Sequence, residues 1–184
     1  MNIKIKNTAM AIVFTMMLLR ASFGDAQVVE RNKDNMSFHP KHFRELVVRP
    51  ALKEIKLWSK NAEELLLLTA AVETDFGLYL RQNGTDGGWA PGRGVFSIEP
   101  TTFKWLLSIP SYDKLLYGTP DDLIIDLKLS AKAARLRYRV VEEPLPAHDD
   151  LNGLAKYWKK WYNASPNGGT IDEAIKKYKK YVKK

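Results

Sequence analysis

The sequence contains no cysteine, and histidine occurs only three times. Without cysteine the chain can form neither a disulfide framework nor a thiolate metal site, and a cysteine nucleophile is excluded. Export remains possible, because a chain of 184 residues can bury a core that is stable without disulfides. His39 and His42 lie three residues apart with no third ligand near them in the sequence, so we expect no metal site.

Motifs of several enzyme classes are also missing. The sequence has no Gly-x-Ser-x-Gly nucleophile motif, no glycine-rich phosphate loop ending in Gly-Lys-Ser/Thr, and no His-Glu-x-x-His zinc motif. With only His39, His42 and His148 available, a histidine-based triad has little support. We therefore expect a protein without a cofactor.

Apolar and basic residues are abundant by contrast. Hydrophobic residues make up 45% of the chain and aromatic residues 11%, which argues against disorder and fits one domain of ordinary size. The 29 basic and 21 acidic residues give a net charge of +8. This charge favours an anionic partner such as nucleic acid, a membrane surface or a cell-wall polymer, but it does not choose among them.

The first 26 residues have the order of a secretory signal. Lys4 and Lys6 precede the apolar residues 9–19, and small residues that include Gly24 and Ala26 follow. The apolar segment is shorter than the roughly 20 residues of a membrane span. The sequence therefore predicts a signal peptide or an uncleaved signal anchor over residues 1–26, and an exported, periplasmic or extracellular protein. A linker over 27–37 and one domain over 38–184 follow.

The centre of that domain is predicted to be a helix that ends on a carboxylate. Asn61 is placed to cap it, and the run from Leu65 to Val72 leaves almost no polar face. Glu73 follows the run directly. Burial beside an apolar helix raises the pKa of a carboxyl group, and a general acid needs that property near neutral pH. Asp75, two positions further on, points to another side of the helix and is not expected to share the cleft.

Turn and capping signals divide the rest of the domain. Asn83-Gly84 and Asp86-Gly87 predict a short hairpin within 81–94. Thr119-Pro120 predicts the start of a helix that continues to about Val141, and Asp149 or Asp150 is placed to cap the next. The last helix is predicted to open with a capping box of Thr170 and Glu173, and its lysines suggest contact with an anionic wall or membrane surface.

Three segments resemble, in order, the motifs of the lytic transglycosylase and goose-type lysozyme superfamily. They are residues 73–77 (ETDFG), 94–102 (GVFSIEPTT) and 161–164 (WYNA), and the resemblance covers about residues 40–182. Three positions depart from the family pattern, where serine, glutamine and glycine are usual: these are Thr74, Ser97 and Ser165.

The resemblance implies a mainly α, lysozyme-like α+β fold with a small loop or β-hairpin region at the substrate cleft. It also implies a peptidoglycan-cleaving glycosidase that uses Glu73 as its single catalytic acid and base. Tyr162 corresponds to a tyrosine that hydrogen-bonds the catalytic glutamate. The expected substrate-binding residues in the sugar groove are Phe96, Ser97, Tyr162 and Asn163. The substrate would be the glycan strand of peptidoglycan, cut between N-acetylmuramic acid and N-acetylglucosamine by a monomer.

Three alternatives stay open at this point. Water-using lysozyme chemistry would need a second carboxylate, for which Asp86 and Glu99 are the candidates. A non-catalytic wall-binding protein of the same fold would agree with the departure at Ser97. A nucleic-acid-binding domain would account for the charge but not for the export signal or for Glu73, so we expect no nucleic acid partner.

Overall fold

The computed structural model describes residues 36–84, 88–166 and 168–183. Within these ranges the chain forms a mainly helical domain with a small two-stranded antiparallel sheet, as the sequence predicts. The predicted signal segment (1–26) and residues 27–35 of the predicted linker lie outside them. Over the described part of the chain, no helix combines the length and apolar character that crossing a bilayer requires.

The first helical segment, α1, has three consecutive parts, which are Pro40–His42, the π-helical Phe43–Val48 and Arg49–Glu54. The other elements follow in chain order: α2 Lys60–Thr74, β1 Arg81–Asn83, β2 Trp89–Arg93, α3 Pro100–Ser108, α4 Asp122–Ile125, α5 Leu127–Arg139, α6 Leu151–Trp161 and α7 Ile171–Tyr181.

Helix α1 continues past Pro50, although this proline predicts a break or kink. The π-helical part precedes it, so that the backbone N–H of Arg49 donates to the carbonyl of Arg44, five residues earlier. A proline ring clashes with the carbonyl four residues before it in a regular α-helix. The wider π turn relieves that clash, so the segment stays helical.

Helix α2 is the buried centre of the domain, as its apolar run predicts. All residues from Ala62 to Val72 are buried, and Thr69 donates back to the carbonyl of Leu65 at 2.8 Å. The prediction that Asn61 caps this helix is wrong. Ser59 is the cap, because its hydroxyl accepts from the backbone N–H of Ala62 at 3.0 Å. Asn61 instead accepts from the backbone N–H of His148, at 3.0 Å.

Two buried acids fix α2 to α1. Glu63 is paired with Arg44 and Arg49 at 2.9 Å and 2.8 Å, and Glu64 is paired with Arg44 at 2.7 Å. Burial opposes ionisation of Glu63, but hydrogen bonds from Arg49, Trp58 and Arg44 outweigh it and lower its pKa to about 2. These charges are therefore satisfied at the start of an otherwise apolar helix.

The later helices surround α2. The helix predicted from Thr119 to about Val141 is interrupted at Asp126, whose carboxylate caps α5 by accepting from the N–H of Leu129 at 2.8 Å. Asp150 caps α6, one of the two residues predicted for that position. The capping box of Thr170 and Glu173 at the start of α7 is confirmed.

The predicted hairpin is also confirmed. Strands β1 and β2 pair antiparallel, with Arg81 opposite Arg93 and Asn83 opposite Trp89. Asp86, one of the candidate second carboxylates, lies outside the described residues. The hairpin follows closely on the end of α2, so it brings polar side chains next to Glu73.

Candidate active site

Glu73 is the penultimate residue of α2, where the buried helix reaches a cleft. The helix ends because Asp75 adopts a left-handed conformation, with φ 50°. Asp75 forms an ion pair with Lys177 of α7, with 2.8 Å between Oδ1 and Nζ. The two acids thus have different surroundings, as their spacing predicts, and Glu73 is the one that lines the cleft.

The carboxyl group of Glu73 is partly buried and hydrogen-bonded. Its Oε1 accepts a hydrogen bond of 2.9 Å from Nε1 of Trp158 in α6. Burial is the largest influence on its pKa and raises it above the usual 4.5. Hydrogen bonds from Trp158 and Asn163 and the positive charge of Arg137 oppose this rise without cancelling it. The side chain therefore holds its proton to a higher pH than an exposed glutamate does.

The cleft in front of Glu73 contains three of the four predicted binding residues. It encloses about 970 Å³ of empty space, part of it open to solvent, and Ser97, Tyr162 and Asn163 line it together with Glu73. A smaller pocket of about 400 Å³ lies toward the hairpin. Glu73, Gln82 and Ser97 line both spaces. Glu73 is therefore at the junction of two adjoining pockets.

The prediction that Phe96 lines the groove is wrong. Its side chain is fully buried, and its ring centroid lies 6.2 Å from that of Phe43 in the core. The hydrogen bond expected from Tyr162 to Glu73 is replaced by two others. The hydroxyl of Tyr162 donates to the backbone carbonyl of Phe96 at 2.7 Å, and Trp158, one turn earlier on α6, is the donor to Glu73.

A tight turn over 94–98 closes the cleft beside Glu73. Gly94 has φ 68°, and a Cβ there would lie 2.2 Å from the carbonyl oxygen of Leu123, so the position requires glycine. Thr74 ties this turn to the end of α2, because its hydroxyl donates to the carbonyl of Val95 at 2.7 Å and accepts from the N–H of Gly77 at 3.1 Å. Threonine thus supplies a hydroxyl at the position where the motif that residues 73–77 resemble has serine.

Sequence reasoning missed Gln82, which lies next to Ser97. Its Oε1 accepts from the backbone N–H of Gly92 at 3.3 Å. A Cβ on Gly92 would lie 2.2 Å from Oγ of Ser97 and 2.8 Å from Oε1 of Gln82, so the three residues are in close contact. Gln82 therefore brings an amide from the hairpin to the side of the cleft where Ser97 replaces the usual glutamine.

Arg137 and Trp158 were missed as site residues as well. The guanidinium of Arg137 stacks on the ring of Tyr162, 3.9 Å from its centroid, and donates to the Tyr162 carbonyl at 2.7 Å. Arg137 lines the cleft and puts a positive charge near Glu73. Arg137 and Trp158 lie on different helices, and both approach Glu73 on a third. Because this proximity depends on how the helices pack, no local sequence pattern predicts it.

The other acid of the cleft is exposed. Glu99 lines it from the residue just before α3. The part of the chain that the structure describes holds no cluster of three histidine, cysteine or acidic residues that could bind a metal ion. The arrangement suits proton transfer by Glu73 to a polymer lying in an open cleft.

Comparison with known proteins gives no relative on which to base a function. No protein-family model matches the chain, and no curated protein and no solved structure matches it.

Proposed function

We propose that the protein is a peptidoglycan-cleaving glycosidase of lysozyme-like fold, either a lytic transglycosylase or a muramidase, with Glu73 as its general acid. The observation that carries the proposal is the place of this carboxyl group. Glu73 lies at the end of a buried helix, and burial raises the pKa of its carboxyl group. It lines a cleft together with residues of β1, α3, α5 and the segment that follows α6. The bond to be cut is the β-1,4 bond between N-acetylmuramic acid and N-acetylglucosamine.

The single-acid route follows from the resemblance to lytic transglycosylases. Glu73 gives its proton to the glycosidic oxygen as the bond to C1 breaks, while the N-acetyl group of the substrate assists. The C6 hydroxyl of the same sugar then attacks C1 and returns a proton to Glu73, which leaves a 1,6-anhydro sugar. Trp158 holds the carboxyl group in place, and the positive charge of Arg137 stabilises the carboxylate between the two steps.

Hydrolysis by water is the second outcome for the same site. It requires a carboxylate on the other side of the sugar as base or nucleophile. Glu99 is the candidate in the described cleft, and Asp86 remains a candidate from the sequence. Water-using chemistry predicts products with a reducing end in place of the anhydro sugar.

A non-catalytic glycan-binding protein of the same fold is the alternative function. The observation in its favour is that four interactions lower the pKa of Glu73 against the effect of burial, and so reduce the fraction of the protein that holds the proton near neutral pH. They come from Trp158, Arg137, Lys177 and Asn163. In that case the cleft would hold a glycan strand without cutting it.

The expected location and partner agree with the charge of the surface. An exported monomer would meet the anionic cell wall, and α7 presents exposed lysines to it, at positions 176, 179 and 180. The apolar side of this helix is packed into the domain through Ala174, Tyr178 and Tyr181. We therefore propose that α7 contacts the wall or a membrane surface through charge and not by insertion.

Mass spectrometry of fragments released from purified peptidoglycan tests the function. The wild-type protein should release anhydromuramyl fragments, and Glu73→Gln should release none while remaining folded. Glu45→Gln, a change at an exposed glutamate of α1, is the matched control and should release the wild-type products. Reducing-end products that also disappear in Glu99→Gln would indicate hydrolysis. Full activity of Glu73→Gln, or wall binding without fragments from the wild type, would contradict the catalytic proposal.

A further inference from the structure

A second groove lies beside the cleft and is marked by two exposed tryptophans. It encloses about 1060 Å³ of empty space, much of it open, between Trp105 of α3 and Trp161 of α6. These side chains are 47% and 38% exposed, and both line the groove. Val140, Val141 and two glutamates complete the wall between α5 and α6.

Trp161 is held in a fixed orientation. Its Nε1 donates to Oε2 of Glu143 at 3.1 Å, and the same carboxylate is paired with Lys160 at 2.6 Å. The ammonium of Lys160 also lies over the indole, 4.6 Å from the ring centroid. These contacts favour one orientation of the ring before any ligand arrives, which lowers the side-chain entropy that binding would cost.

Arg137 connects this groove to the cleft of Glu73. It lines both spaces, and its guanidinium rests on the ring of Tyr162, the residue next to Trp161. Arg137 therefore lies where the cleft and the groove meet, and a linear polymer in the cleft would reach the groove at this residue.

We propose that the groove between Trp105 and Trp161 binds further sugar residues of the same glycan strand, an inference that rests on the proposed function. A pyranose ring has an apolar C–H face and a rim of hydroxyl groups. The groove offers matching chemistry, with indole faces for the ring and the polar groups of Arg137, Glu142 and Glu143 for the hydroxyls. These three charged groups disfavour the binding of an apolar helix in the groove, because such a helix would remove the charges from water.

The experiment measures how affinity depends on ligand length. Glu73→Gln serves as the background, so that no ligand is cleaved, and N-acetylglucosamine oligomers of two, four and six units are titrated calorimetrically. The six-unit oligomer should bind more tightly than the two-unit oligomer. Trp105→Ala and Trp161→Ala should each weaken binding of the six-unit oligomer by about five- to tenfold and leave the two-unit oligomer unchanged.

Two control variants make the result specific. Trp161→Phe keeps an aromatic face and should retain most of the gain from length. Ile125→Ala removes an apolar side chain that is 80% exposed on the separate helix α4, and it should bind every oligomer as the background does.

Two other outcomes overturn this inference alone, a third overturns it together with the proposed function, and a fourth supports it while contradicting catalysis. If the tryptophan variants keep the gain from length, the groove does not bind sugars and the proposed function stands. If they weaken only fragments that carry stem peptides, the groove binds peptide. If no oligomer of any length binds the background, the proposed function fails together with the inference. Length-dependent binding by a wild type that cleaves nothing would support the groove and contradict catalysis alone.

Discussion

Nε1 of Trp158 donates a hydrogen bond of 2.9 Å to Oε1 of Glu73, and the two residues are 85 positions apart in the chain. This bond joins the end of α2 to the last turns of α6. It stabilises the carboxylate, whereas burial of the same group favours the protonated form. The pKa of Glu73 is raised because burial is the larger of these influences, and Trp158 limits how far it rises.

Trp158→Phe should move the alkaline limb of the activity profile to higher pH. The change removes the N–H donor, so the carboxylate loses a hydrogen bond and the pKa of Glu73 rises further. A general acid must be protonated to act, and its activity then persists to a higher pH. The measurement is the rate of peptidoglycan lysis between pH 4 and 9. The smaller ring should also lower stability by about 2 kcal/mol, since Trp158 is fully buried.

Trp58→Phe is the matched control for this variant. Nε1 of Trp58 donates to Oε2 of Glu63 at 2.8 Å, an equivalent bond far from the cleft. Its loss should lower stability but leave the pH profile in place. A profile that moves equally in both variants, or that moves to lower pH in Trp158→Phe, would contradict the role given to the Trp158–Glu73 bond.

The hydroxyl of Thr74 should matter more than its methyl group. Thr74→Val removes two hydrogen bonds of the hydroxyl, to the carbonyl of Val95 and from the N–H of Gly77, which should cost about 1–3 kcal/mol of unfolding free energy. Because Glu73 is the preceding residue, lysis should fall as well. Thr74→Ser keeps both bonds and should stay within about 1 kcal/mol of the wild type. Urea unfolding compares the three proteins, and equal stability of the valine and serine variants would contradict this account.

Much of the fold follows from local sequence signals. The apolar run after Leu65 predicts a buried helix, and the turn dipeptides after Asn83 predict a hairpin, because these patterns constrain the backbone directly. The predictions of helix caps and helix boundaries fail where the local sequence allows two alternatives. Ser59 and Asn61 both suit a helix cap, and only packing against the segment around His148 assigns Asn61 to another bond. Asp126 interrupts a continuous apolar pattern. The helix α4 ends before it, because its side chain caps the next helix, α5.

The sequence predicts a residue of the candidate site only where a local pattern or a motif marks that residue. Glu73 is marked by its place after the apolar run. Three residues that the motif resemblance singles out line the same cleft, namely Ser97, Tyr162 and Asn163. Trp158 gave no such signal, because its bond to Glu73 depends on how α6 crosses α2.

The stability of Glu73→Gln should depend on pH in a way that reports the pKa of Glu73 directly. A raised pKa means that the folded protein holds a proton which the unfolded chain, near 4.5, releases first. The stabilising contribution of Glu73 is therefore fully present below pH 4.5 and is lost as pH rises through the folded-state pKa. Glutamine resembles the protonated side chain, keeps an oxygen for Trp158 and cannot ionise.

Relative to the wild type, Glu73→Gln should therefore gain stability as pH rises, from a small difference near pH 4 to a constant positive difference above the folded-state pKa. Urea unfolding of both proteins at intervals from pH 4 to 8 measures this difference, and the pH above which it becomes constant reports the folded-state pKa. If Glu73→Gln instead loses relative stability as pH rises, the folded protein stabilises the carboxylate overall. The pKa of Glu73 would then be lowered, and the residue could not hold the proton that glycosidic cleavage requires.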